Sequence, residues 1–129
     1  MNEKSISKTI MVRYLFRKPK YPLLIETDGR VAGVRNERRF EKIDKKVLFS
    51  NKESYIVIDS SGEGWKFFPE DEIISPLTVL KRWSKRKIID FFNASLDKTG
   101  SSARCESRSL SNKRLERVIL EIIEFESSL

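Results

Sequence analysis

The chain has 129 residues, 26 Lys and Arg against 19 Asp and Glu, no histidine and one cysteine. This is one domain's worth of polypeptide, long enough to bury a core without disulfides or a structural metal. Without histidine there is no Ser-His-Asp or Cys-His nucleophile system, no His-containing zinc site and no imidazole switch near neutral pH.

The charge is segregated along the chain. Residues 1 to 20 carry a net +5, residues 21 to 80 a net −2, residues 81 to 114 a net +7 and residues 115 to 129 a net −3. An acid-leaning middle is thus bracketed by two basic segments. No stretch approaches the run of about 18 apolar residues that a membrane helix needs. The first 18 residues lack an uninterrupted apolar centre, so no secretory signal is expected, and a lone unpaired thiol suits a reducing cytoplasm.

In chain order, Ile6, Ile10 and Tyr14, with Met11 and Leu15, recur at helical spacing behind Ser5, and Pro19 and Pro22 end the segment. A strand over residues 9 to 16 is the alternative. Next, Leu23-Leu24-Ile25 and Arg30-Val31-Ala32-Gly33-Val34 flank Asp28-Gly29. That pattern predicts a hairpin closed by a type I′ turn, whose two central residues need positive φ. Four further runs read as strands: Phe40 to Ile43, Val47 to Ser50, Tyr55 to Asp59 and Trp65 to Phe68. The gaps between them are too short for crossover helices, which implies an antiparallel meander. Ser75-Pro76 reads as a helix start, with the helix running through Leu77, Leu80, Trp83, Ile88 and Phe92 to about Ala94 and a break near Ser84. Residues 97 to 109 are polar and Ser-rich and are expected to form a mobile loop. In the last helix, Leu115, Val118, Ile119, Ile122, Ile123 and Phe125 make a broad apolar stripe.

The expected fold is therefore a single α+β domain over residues 1–129. It comprises a five- or six-stranded antiparallel meander over residues 21–74, open or curved into a small SH3-like barrel, an N-terminal helix or strand, and a helical part over residues 75–129.

Several features could carry function. Lys81-Arg82-Trp83-Ser84-Lys85-Arg86-Lys87 places five cations and one Trp in seven residues, and Arg104 and Arg108 follow in the loop. Phosphates would be held there by salt-sensitive, sequence-independent attraction; the competing reading is the solvated side of an amphipathic helix. The segment is a poor helix-turn-helix, because its first piece spans barely two turns and the connection has no Gly. Trp65-Lys66-Phe67-Phe68 alternates aromatic and basic residues but reads better as core than as a base-stacking strand. Ser60-Ser61-Gly62-Glu63-Gly64 lacks the Lys-Ser/Thr of a phosphate loop and suits a hairpin turn. Glu70-Asp71-Glu72 offers three carboxylates in a row, which do not converge on one cation without a special turn. Cys105 sits between Arg104 and Glu106 without a partner base and reads as a thiol exposed in a loop. The apolar stripe at Leu115, Val118, Ile119 and Ile122 could serve either its own domain's core or a dimer seam.

These features point to a noncatalytic binding module whose basic face meets nucleic acid, an acidic protein or another polyanion. The alternative is a homodimeric or protein-interaction accessory protein using the last helix. A small-ligand pocket near Tyr55, Trp65 and Phe67 is a third expectation. No cofactor, metal or membrane partner is implied.

Overall fold

The computed structural model describes residues 12–77, 82–106 and 112–129. Among the described residues, six strands form one sheet: β1 (Arg13–Tyr14), β2 (Leu23–Ile25), β3 (Ala32–Val34), β4 (Tyr55–Ile58), β5 (Gly64–Phe68) and β6 (Ile73–Pro76). Their spatial order is β1-β6-β5-β4-β2-β3. Every neighbouring pair is antiparallel except β1 and β6, which run parallel, with Arg13 opposite Ile73 and Tyr14 opposite Ile74. The sheet is open, ending at β1 and β3. Only β4, β5 and β6 form a meander; β4 pairs with β2, not with β3, its immediate predecessor among the strands.

The reason is the segment between β3 and β4. The expected strands Phe40 to Ile43 and Val47 to Ser50 are two short helices, α1 (Glu37–Lys42) and α2 (Lys45–Leu48). Asn36 caps α1 by accepting from the Arg39 amide at 2.9 Å, and Asp44 caps α2 by accepting from the Lys46 and Val47 amides at 3.1 and 3.4 Å. These caps satisfy amides that a strand would have had to pair elsewhere, and they override the strand propensity of these short runs.

Both faces of the sheet are covered. On one, α1 and α2 bring Phe40 and Phe49 against Leu23, Ile25, Tyr55, Val57, Trp65, Phe67 and Ile74. Edge-to-face ring contacts at 5.0–5.2 Å pack Phe40 on Phe67 and Phe49 on Tyr55 and Phe67. Tyr55, Trp65 and Phe67 are thus buried in a packed aromatic core where a ligand pocket was expected. On the other face lie α3 (Lys85–Lys98) and α4 (Leu115–Ser127), which bury Ile88, Ile89, Phe92, Leu96, Val118, Ile119, Ile122 and Ile123 against Leu24, Val31 and Ile58. The alternation of Tyr55 and Val57 to one side, Ile56 and Ile58 to the other, makes β4 the shared wall of two cores.

Three further expectations are corrected. Ser75 and Pro76 end β6 and do not start a helix; helix α3 begins at Ser84, whose side chain accepts from the Lys87 amide at 3.2 Å. Residues 78–81 lie outside the described residues. The β2–β3 hairpin forms, but Gly29 and Asp28 have no positive φ. Its longer loop is instead shaped by the Thr27 hydroxyl, which accepts from the Gly29 amide at 3.0 Å and donates to the Arg30 carbonyl at 2.7 Å. Finally, residues 101–106 are anchored. The Asn93 side chain bonds both backbone groups of Cys105, at 2.8 and 3.0 Å, and Ala103 and Cys105 pack on the helical core. Residues 107–109 of the expected loop lie outside the described residues.

Candidate functional site

The turn from β4 to β5 is organised by one buried carboxylate. Asp59 is 1% exposed and accepts five hydrogen bonds. The donors are the amides of Lys20, Ser61 and Glu63 at 3.1, 2.9 and 3.1 Å, the Ser61 hydroxyl at 2.6 Å and the Trp65 indole at 3.1 Å. Such saturation is what makes a buried charge tolerable. Gly62, at φ +87°, closes the turn, and a Cβ there would stand 2.8 Å from Leu115 Cδ2 and 3.0 Å from the Trp83 carbonyl.

Two distant pieces of chain dock on this turn. From one side, the Ser60 amide donates to the Lys20 carbonyl at 2.9 Å, and the Arg17 guanidinium makes a two-pronged ion pair with Glu63 while lying 4.9 Å over the Trp65 ring. The bond to Glu63 raises the Arg17 pKa, securing its charge. From the other side, the Trp83 amide donates to the Gly62 carbonyl at 2.8 Å, and Arg82 donates to the Ser61 carbonyl and hydroxyl at 2.9 and 3.1 Å. Lys85, Arg86 and Lys87 follow at once in the first turn of α3, which contains no acid. Arg17 and Arg82 thus reach the turn through their side chains and Lys20 through its backbone, while Lys85, Arg86 and Lys87 follow Arg82 closely in the chain; Arg17 is paired with Glu63 and Arg86 with Asp90.

The other expected site residues fall elsewhere. Arg104 sits at the far end of α3, ion-paired with Asp97 at 2.5 Å. Twelve residues of helix put it about 18 Å from Lys85. Lys81 and Arg108 lie outside the described residues. Val118, Ile119 and Ile122 are fully buried, and Leu115 is partly buried over Gly62, so the apolar stripe faces its own domain. Cys105 is buried, not exposed; burial and, less strongly, Glu121 raise its thiol pKa against the pull of Lys113.

Arg17 and Lys20 were not among the residues singled out from sequence. The signal for them was the +5 of residues 1 to 20, but nothing local says that this segment docks beside Arg82. Lys18 turns away, toward Glu37 at 3.3 Å.

Two other features are structural in character. The Lys45 ammonium is buried and donates to the Phe40 and Ile43 carbonyls at 2.6 and 3.3 Å, closing the C-terminal end of α1. A groove of about 890 Å³ beside it is lined by Lys46 and Lys52 together with Glu53, Glu70, Asp71 and Glu72, a mixed lining that selects neither sign of ligand. Among the described residues no cluster of three acidic or cysteine side chains could hold a metal ion, and no helix is long and apolar enough to cross a membrane.

Helices over both faces of a mostly antiparallel open sheet define an α+β protein. No family model matches the chain, and no curated protein does. A solved NMR structure of a protein from Shewanella amazonensis is similar to it, with a TM-score of 0.61 and 16% identity over 87% of this chain and 90% of that one. That likeness is one of fold.

Proposed function

We propose that the protein is a noncatalytic binding module that holds a polyanion, nucleic acid in the first place, on the basic ring around the β4–β5 turn. The observation that carries this reading is the docking of the two basic segments on Asp59 through Gly64: Arg17 by its side chain and Lys20 by its backbone from one, and Arg82 by its side chain, with the basic first turn of α3 following it in the chain, from the other. Three consecutive cations at a helix N-terminus work against the helix dipole, at about 0.3–1 kcal/mol each at low salt. An anion placed there reverses that penalty, since the dipole and the cations both attract it. Separate anchoring of the two segments on one turn keeps the charges together without a ligand, so little ordering would be needed on binding.

The test is fluorescence anisotropy with labelled single-stranded and duplex DNA of equal length at 50 and 200 mM salt. Binding that weakens steeply with salt, and weakens again in Arg82→Glu and Lys20→Glu, is the expected result. No binding at low salt, or binding indifferent to salt, overturns the reading.

A further inference from the structure

The segment that delivers Arg17 to the turn carries a second feature, whose interpretation rests on the polynucleotide reading above. Residues 15–17 form a tight γ-turn: the Arg17 amide donates to the Leu15 carbonyl at 2.8 Å across Phe16, whose φ is +70°. The positive-φ γ-turn is rare and strained, and a bulky side chain at its centre adds steric cost. Burial does not offset that cost, because Phe16 is 89% exposed and Leu15 is 41% exposed. A large ring in an unfavourable backbone conformation, facing solvent, contributes nothing to folding that a glycine would not do better.

The turn is nevertheless held firmly. Before it, the Leu15 amide donates to the Ile74 carbonyl at 2.9 Å on β6. After it, Arg17 is clamped by Glu63 and Trp65, Pro19 is buried, and the Lys20 amide is fixed by Asp59. The backbone at Phe16 is therefore held from both sides, and its exposed ring is carried one residue from Arg17. We infer that Phe16 is a stacking platform for an unpaired base of a single-stranded polynucleotide whose phosphates lie against the basic ring.

Charge and size favour this occupant. One ring and part of a leucine are far short of the roughly 800 Å² per partner of a stable protein interface. An aromatic face beside cations matches the alternation of base and phosphate along a single strand, and such stacking tolerates any base. In a duplex the bases are already stacked and the ring has nothing to take up.

The experiment compares labelled dT10 with a ten-base-pair duplex by anisotropy, and adds anionic phosphatidylserine vesicles by sedimentation. Phe16→Ala is expected to weaken dT10 binding about tenfold, within the range for loss of one stacked base, and to leave duplex binding and the salt dependence unchanged. Phe16→Trp should retain the affinity. Phe16→Gly should bind dT10 as weakly as Phe16→Ala while unfolding at higher urea, because glycine relieves the positive φ; this separates lost stacking from lost stability. Equal weakening for dT10 and duplex, or none for either, overturns the stacking role while leaving the polyanion reading intact. Vesicle binding that depends on Phe16, with dT10 binding that does not, overturns it in favour of a membrane contact. Failure of the unmodified protein to bind either nucleic acid overturns both readings together.

Discussion

Asp59 shows how one side chain can determine a site. Its five donors come from three parts of the chain: Lys20 before β2, the turn itself and the Trp65 side chain of β5. Removing the acceptor leaves the buried indole and amides unpaired, each at about 1–3 kcal/mol. Asp59→Ala should therefore lose about 3 kcal/mol or more, read as a lower urea midpoint, whereas Asp59→Asn, which keeps one acceptor, should lose less. A midpoint unchanged in Asp59→Ala would contradict this role. Tyr14 and Tyr21 form another residue-scale pair, their hydroxyls 2.9 Å apart. Burial raises both phenol pKa values, that of Tyr14 to about 12. An unfolded tyrosine ionises near 10. Above that pH the folded state holds more protons than the unfolded state, so the pair's contribution is complete below about pH 10 and declines as the pH rises toward 12. Urea melts from pH 9 to 12 should show a shallower alkaline loss in the Tyr14→Phe, Tyr21→Phe double variant than in the unmodified protein; equal slopes would refute the assignment.

At the scale of elements, close approach decides what packs where. Helix α4 lies so near β3 that a Cβ on Gly33 would stand 2.2 Å from Ile123 Cγ1 and 2.9 Å from its Cβ. Gly33→Ala should cost about 3 kcal/mol, because backbone as well as side chain must shift. Adding Ile123→Ala removes the nearest atom, so thermal melts of the double variant should show less loss than the sum of the two single changes. Strict additivity would mean that the contact is not the cause. Elements also show what the sequence misleads on. Phe40 to Ile43 and Val47 to Ser50 are short runs with aromatic and β-branched residues that suit strands, yet Asn36 and Asp44 cap them as helices. Local apolar patterning over four residues does not discriminate between the two periods, and capping geometry does. Ser75-Pro76 failed for a related reason. Pro76 ends β6 beyond its pairing with β1, where its missing donor is not needed, and the working cap was Ser84, nine residues later.

For the whole molecule, the arrangement of charge is the consequence of topology. Parallel pairing of β1 with β6, at the edge of the sheet far from β2, sends residues 15–20 back past the β4–β5 turn on their way to β2. The β6-to-α3 connection reaches the same turn from the other direction. If about four cations there meet phosphates of a single strand, the logarithm of affinity should fall with the logarithm of salt at a slope of about −3. Between 50 and 200 mM that is a loss of roughly 60-fold. Charge reversal at Lys20 and at Arg82 should each flatten the slope by about one unit, although 62 residues separate them in sequence.

The α+β class, the β2–β3 hairpin, strands β4 and β5, the last helix and the segregation of charge are all legible in the amino-acid order. Each of these is a property of neighbours within a few residues, which periodicity, turn chemistry and counting can read. Tertiary structure alone decided that β4 pairs with β2, that Cys105 is buried, that the apolar stripe of α4 is covered by its own sheet, and that the two basic segments share one turn. Those outcomes depend on contacts between residues dozens of positions apart, whose partners compete on packing and hydrogen-bond satisfaction and leave no local pattern. Phe16 belongs to both: its type is plain in the sequence, but its exposure and positive φ follow from clamps on Ile74, Glu63 and Asp59 that only the folded chain assembles.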